Sequence, residues 1–252
     1  MLDTLRGCYA AGISWIGPWR HKVEEIGLPE TARAMRECGL RPSSLCRGGF
    51  FPAPTEYERL QRLDDNRRAI DEAATLGADV LVLVCGPAPD RDLSAARRMV
   101  EDGIAAVLPY AAERGVRLAI EPLHPMFAGD RSVVVTLRQA NDMAERFDSP
   151  WVGVAVDAYH VWWDPEVEAQ VARAAGRILG FHVSDWLVPP PDHLLGRGYM
   201  GDGVIDLTGL RACVEAAGYQ GPIEVEIFNQ QVWDSPGAQV LDEIKKRFAA
   251  YV

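Results

Sequence analysis

Seven short apolar runs, each followed by a polar loop and then a helical stretch closed by glycine, constrain the architecture of this chain more than any other feature. The runs are "GISWIG" (12–17), "PSSLCR" (42–47), "DVLVLVCG" (79–86), "VRLAIEP" (116–122), "VGVAVDA" (152–158), "ILGFHVSD" (178–185) and "PIEVEIF" (222–228). They are rich in Val and Ile and bounded by Gly or Pro, as strands are. Between them, stretches such as "YERLQRLDDNRRAIDEAATLG" and "ARRMVEDGIAAVLPYAAERG" carry apolar residues at three- and four-residue spacing, the helical period. Gly39, Gly77, Gly115 and Gly218 fall where helix C-caps are expected. Near-continuously apolar strands alternating with helices mean a parallel sheet covered by helices.

At 252 residues the expected architecture is a (β/α)8 barrel, one domain spanning 1–252. A doubly wound open sheet is the competitor, weakened because no G-x-G-x-x-G follows the early strands. The strand count is seven, not eight. The opening "LDTLRGCYAAG" reads as the end of a helix feeding the "GISWIG" strand, so the expectation is a barrel lacking its first strand. Strand edges left open in that way need cover. No domain-splitting linker interrupts the pattern, and "VPPPDHLLGRGYMGDG" reads as a long active-site loop.

The formal charge of -10, from 36 acidic and 26 basic residues, opposes nonspecific binding to nucleic acid, whose phosphates reward a basic surface. It leaves room for a local basic pocket holding one small anion. The five cysteines (Cys8, Cys38, Cys46, Cys85 and Cys213) are scattered and form no C-x-x-C pair, the usage of reduced thiols rather than of a disulfide or zinc framework. The longest apolar run, "VLVLVC", is too short to span a bilayer, and no secretory segment follows the start. A cytoplasmic protein without membrane partners is expected.

Polar residues recur at the C-terminal ends of four consecutive strands. The fourth run ends in Glu121, the fifth in Asp157, the sixth holds His182 and the seventh holds Glu226. Side chains alternate across a strand, so Ala119 shares a face with Glu121 and Ala155 with Asp157. Small residues one step below a carboxylate suit the crowded inside of a barrel, and that end of the strands is where barrel active sites lie. Two glutamates, an aspartate and a histidine suit Mn²⁺, Mg²⁺, Co²⁺, Fe²⁺ or Zn²⁺, and the absence of cysteine disfavours structural zinc. The competing reading has the carboxylates held by arginines or backbone amides, but burying three acids without a cation costs several kcal/mol or roughly that order for each unpaired charge.

Taken together, "AIEPLHP", "AVDAYHVWWDP", "FHVSD…GRGYMGDGVIDL" and "GYQGPIEVEIF" resemble the xylose isomerase-like TIM-barrel family of sugar-phosphate isomerases and epimerases, over the chain from about Gly12 onward. The resemblance implies Glu121, Asp157, His182 and Glu226 as metal ligands, with Glu121 and Glu226 as acid and base on opposite faces of the substrate. It implies His160 and Arg197 as substrate-binding residues, and His124 as a further one unless it merely caps its loop. Trp162 and Trp163 either wall the pocket or pack the helix against the barrel. Glu224, one layer deeper than Glu226, is expected to support the ligands rather than join them. Asp130 and Arg131 are expected to pair. Arg47, in "RGG", could meet a substrate anion. Some sugar epimerases of the family carry a further acid six residues beyond the first glutamate; here that position is Phe127.

The implied activity is a divalent-metal-dependent isomerase or epimerase of a small sugar, ketose or polyol-derived hydroxy-carbonyl compound, working through an enediolate. A lyase that dehydrates an inosose- or dehydroshikimate-like substrate uses the same site, and a non-catalytic barrel subunit is the reading from another class. Nucleases of the endonuclease IV type share the fold but hold several zinc ions with many histidines. Five histidines (His21, His124, His160, His182 and His193) and an acidic surface oppose that. A sugar-like small molecule is the expected partner, and homodimers are expected if an open strand edge persists.

Overall fold

All seven predicted strands form. The computed structural model describes residues 1–252 and places them, in chain order, at β1 (Trp15–Ile16), β2 (Leu45–Gly49), β3 (Val80–Val84), β4 (Arg117–Glu121), β5 (Val152–Asp157), β6 (Ile178–Val183) and β7 (Ile223–Val225). Six of them make one parallel sheet in the order β7-β6-β5-β4-β3-β2. β1 joins the curl by pairing in parallel with Arg41–Pro42, just ahead of β2, and Trp19 bridges Cys46. The second predicted run is therefore used twice. Its first residue, Pro42, pairs with β1, and the ladder to β3 starts only at Leu45.

The sheet curls without closing. No ladder joins β1 to β7, and an apolar cleft of about 580 Å³ lies at that seam, lined by Ile13, Ile16, Val225, Ile227, Leu241 and Phe248. The last two belong to the C-terminal helix Gly237–Tyr251, which covers the seam. The expected barrel one strand short of eight is what the topology shows.

The helices bury one stripe each against the outside of the sheet. In Glu56–Leu76 the buried positions are Asn66, Ala69, Ile70, Ala73 and Leu76, the three- and four-residue spacing of one helix face. A capping box starts that helix: Thr55 Oγ1 accepts from the Glu58 N–H, and the Glu58 carboxylate accepts from the Thr55 N–H. Gly77 ends it at φ 83, a left-handed cap that a side chain would resist. Replacing the wholly buried Ile70 by Ala should cost about 2–5 kcal/mol.

Inside the curl, Val80, Val82, Ala119 and Ala155 form a separate small apolar cluster. It plugs the barrel below the strand ends. The polar residues sit directly above it, on a floor that excludes water from beneath.

Candidate active site

Strand phase decides which side chains enter the barrel mouth. Glu121 and Asp157 are the last residues of β4 and β5, and His182 is the penultimate residue of β6. The register aligns Asp157 with His182 and His182 with Glu224. Glu226 lies one residue past β7, its N–H bonded to Val183 O at 3.0 Å. One ligand atom from each of Glu121, Asp157 and His182 lies within 4.8 Å of the others, and all three residues are buried.

The contacts within this group are uneven. His182 Nδ1 is 3.1 Å from Glu121 Oε1, the only side-chain partner Glu121 has. His182 Nε2 has no hydrogen-bond partner; it lies 3.7 Å from Glu224 Oε1, beyond hydrogen-bond range but close enough for charge to act. Burial alone would favour the neutral ring. The nearby Glu224 and Glu121 carboxylates override it and hold His182 well above its ordinary value. Glu224 behaves oppositely: burial would raise it, but His182, Ser44 and Ser43 keep it low. Its place beside His182 fits the expected supporting role.

Arg197 is buried and reaches into the same space. Its Nη1 donates to Asp157 Oδ2 at 2.9 Å, to Glu226 Oε2 at 3.1 Å and to Glu226 O at 3.2 Å, and Nη2 lies 3.2 Å from His160 Nε2. The guanidinium is sandwiched between Tyr159 and Phe228, 4.5 and 4.8 Å from their ring centres. Burial would raise Asp157, but Arg197, His160 and His182 together keep it below the usual carboxylate range. Glu226 stays outside the 4.8 Å group. Burial pushes its carboxyl up to about 7, with Arg197 and His182 offsetting only part of the effect.

The donor set fits a divalent cation. Two carboxylates and an imidazole converge with a buried ring nitrogen left unpartnered, and no arginine serves Glu121. Asp157, by contrast, is already held by Arg197 and by the Tyr159 N–H at 2.9 Å.

Beside the cluster a cavity of about 250 Å³ opens to solvent, with Glu121, Glu226, His160 and Arg197 in its walls. Its aromatic sides are Trp19, Phe127 and Phe228, of which sequence reasoning had singled out only Phe127, and that for the acid missing there. Trp162 and Trp163 are not in the wall; they pack against Trp186 and His124. For His124 the structure shows the capping arrangement. Its Nδ1 accepts from the Met126 N–H at 3.2 Å and its ring stacks on Trp186, so it caps the turn and does not line the cavity. Another residue went unnoticed. Asp185, buried in "FHVSD", accepts from the N–H groups of Trp186, Gly201, Gly203 and Ile205 at 2.9–3.0 Å and pins the loop that carries Arg197. Only the proximity of that aspartate to a glycine-rich loop could have signalled it.

A curled parallel sheet with acids and a histidine at its strand ends is the arrangement of a TIM barrel, and comparison with known proteins agrees. The family model described as xylose isomerase-like TIM barrel matches residues 6–249. The chain belongs to that family. The crystal structure of protein SMc04130 from Sinorhizobium meliloti 1021 is 53% identical and superposes with a TM-score of 0.96, covering 99% of this chain and 92% of that one. L-ribulose-5-phosphate 3-epimerase UlaE of Escherichia coli O1:K1 is 27% identical over 225 residues, 86% of this chain and 75% of the epimerase. A 3-dehydroshikimate dehydratase of Pseudomonas putida is 31% identical over 194 residues, 72% of this chain; the match spans 28% of the dehydratase's length. No helix of the structure is long and apolar enough to cross a membrane.

Proposed function

We propose that the protein is a divalent-metal-dependent isomerase or epimerase of a small sugar, ketose or related hydroxy-carbonyl compound. The convergence of Glu121, Asp157 and His182 beside a small substrate-sized cavity carries this reading. Those three would hold the ion, with Glu226 as the fourth ligand once it parts from Arg197. A bound divalent cation would draw electron density from adjacent carbonyl and hydroxyl oxygens and so acidify the C–H between them.

The chain's own residues supply the rest. Glu121 and Glu226 project from different strands into the cavity and exchange a proton with the substrate carbon, a role worth on the order of 10² to 10⁴ in rate. The electron pair left on carbon moves toward the carbonyl oxygen as the C–H bond breaks. Return of a proton to the neighbouring carbon gives isomerisation, and return to the opposite face gives epimerisation. His160 and Arg197 orient the substrate's oxygens, and Trp19, Phe127 and Phe228 keep bulk water from the reacting carbon.

Metal content of the purified protein after incubation with Mn²⁺ and desalting, beside a Glu226→Gln variant, is the first test. About one ion per chain in the wild type and a marked loss in the variant are expected, followed by ketose-dependent exchange of carbon-bound hydrogen with deuterated water. A well-folded wild type that binds no ion sinks the proposal. The similarity to a dehydratase supports a second reading, in which the same proton removal is followed by expulsion of a β-hydroxyl. Loss of one water from the product, read by mass, would distinguish it.

A further inference from the structure

The mouth of the active-site cavity carries positive charge that the reaction chemistry does not use. Arg47 and Arg131 both line the cavity that holds Glu121 and Glu226, and neither has a satisfying carboxylate. Arg47 enters none of the chain's ion pairs; its guanidinium lies over Phe50, 4.0 Å from the ring centre. The Arg131 Nε is buried without a hydrogen-bond partner. Its one acidic neighbour is Asp130, 3.9 Å away and two-thirds exposed, so the pairing expected from sequence is barely made.

The contrast with Arg20 is instructive. That side chain, packed nearby, donates to Glu72 at 2.6 Å and to Asp65 at 3.1 Å. In a chain with ten more acids than bases, arginines with structural duties find acids. Arg47 is exposed at the cavity mouth; partial burial and the positive charges of Arg131 and Arg20 nonetheless hold it below its ordinary value, against Cys46 and Asp65. Two cations close enough to repel each other at a cavity mouth call for an anion between them.

The backbone holds Arg47 in place for such a duty. Asn66 clamps Gly49 from both sides, accepting from its N–H at 2.6 Å and donating to its carbonyl at 2.8 Å. A Cβ on Gly48 would meet Asn66 Oδ1 at 2.8 Å, and one on Gly49 would meet Val84 O at 2.1 Å. Phe50 then takes φ 54, a left-handed backbone that aromatic residues avoid, and its ring supports the guanidinium. "RGG" is thus two glycines required by close approach and one arginine left facing the cavity.

We propose that Arg47 and Arg131 form an anion subsite that receives the carboxylate or phosphate of the substrate while its hydroxy-carbonyl end lies at Glu121 and Asp157. Guanidinium forks recognise both oxyanions bidentately, and Arg47 over Phe50 and Arg131 beside Phe127, 5.8 Å from its ring centre, both face the cavity. The proposal rests on reading this cavity as the substrate site and narrows the substrate class: an acidic sugar derivative or a sugar phosphate, not a neutral sugar.

The test uses metal-free, chelator-treated full-length protein, so that it stands apart from the metal reading. Inorganic phosphate and malonate are titrated separately by calorimetry, with intrinsic tryptophan fluorescence as a second readout, into wild type, Arg47→Gln, Arg131→Gln and the surface control Arg33→Gln. Saturable binding of at least one anion, weakened about tenfold or more in each cavity variant, unchanged in the control and falling with added salt, is the expected result. The tighter of the two anions names the group. No saturable binding to wild type, or equal binding by all four proteins, overturns the subsite. Thermal melts of the two cavity variants confirm that they remain folded. If anions bind but Mn²⁺ does not, the metal mechanism fails and the subsite stands; the reverse outcome removes the subsite alone.

Discussion

The Arg197 guanidinium meets Nε2 of His160 across 3.2 Å, and that contact fixes the imidazole tautomer. A guanidinium has only donors, so Nε2 accepts and the proton must sit on Nδ1. The Nδ1 atom is buried and has no partner in the protein, in a ring that lines the cavity. His160 therefore carries a buried Nδ1–H donor without a protein partner, while Arg197 holds the ring through Nε2.

His160 should stay neutral far into the acid range. Burial, only partly offset by Asp157, pushes it down to about 3. The unfolded chain takes up that proton near 6.5 and the folded one does not, so His160 makes stability fall as pH drops from about 6.5 toward 3. Imidazole ¹⁵N spectra should show an Nδ1-protonated ring that does not move between about pH 8 and 4, and a His160→Asn variant should flatten the acid side of the urea-stability profile. A His160 signal titrating near 6 would refute the geometry.

A methyl group at position 17 should disturb a side chain on the opposite edge of the sheet. A Cβ on Gly17 would stand 2.1 Å from Glu224 Oε2, so Gly17→Ala must displace the Glu224 carboxylate, whose other oxygen faces His182 at 3.7 Å. Loss of a group that supports a ligand typically lowers metal affinity 10–100-fold, and the crowding should cost about 1–3 kcal/mol of stability. Mn²⁺ titration of Gly17→Ala and of Glu224→Gln should show similar weakening. Wild-type affinity in both would mean that Glu224 does not support His182.

Metal loading should release protons. The Glu224 and Glu121 carboxylates keep His182 protonated above its usual range in the metal-free protein, whereas a ligating imidazole must be neutral. The raised His182 stabilises the metal-free fold fully below its unfolded value near 6.5, and that contribution is lost as pH rises through the folded value. Calorimetric Mn²⁺ titrations near pH 7 in buffers of different ionisation enthalpy should report about one proton or more released per ion. The loaded protein should also melt higher than the chelated one, by about 2.7 kcal/mol of added stability at a hundredfold excess over Kd. Zero proton release would place the ion elsewhere.

What could be read from the chain divides along a physical line. Period-two alternation and strand-end position are local, so Glu121, Asp157 and His182 were visible as inward-facing residues at one end of neighbouring strands. Gly77, closing a helix with a left-handed backbone, was visible for the same reason. The bridge from Arg197 to Asp157 and Glu226 spans 40 and 29 residues and depends on how a loop folds back over the strands, which no local pattern encodes. In sequence, Arg47 stands in a short RGG motif that is weak by itself, and Arg131 beside an acid that could pair with it. Only the curl of the sheet brings them to one cavity. His124 stayed open because a histidine three residues past a strand-end carboxylate looks the same in sequence whether it faces the cavity or caps a turn.

Asp185 should matter more to the loop than to the metal. It is buried and its two oxygens accept four backbone N–H bonds, three of them from Gly201, Gly203 and Ile205. The strand pair Asp185–Trp186 with Arg197–Gly198 is tied down by the same residue. Asp185→Ala strands these donors in a buried setting, at a cost on the order of 3 kcal/mol or more. Even Asp185→Asn loses one acceptor oxygen and sets an amide N–H₂ against N–H groups. Urea unfolding should register the loss, and limited proteolysis should show earlier cutting within residues 187–196. Mn²⁺ stoichiometry should hold, because Glu121, Asp157 and His182 stand on strands that the loop does not support. Loss of metal together with the loop would show instead that Arg197, through its hold on Asp157 and Glu226, organises the ligand set.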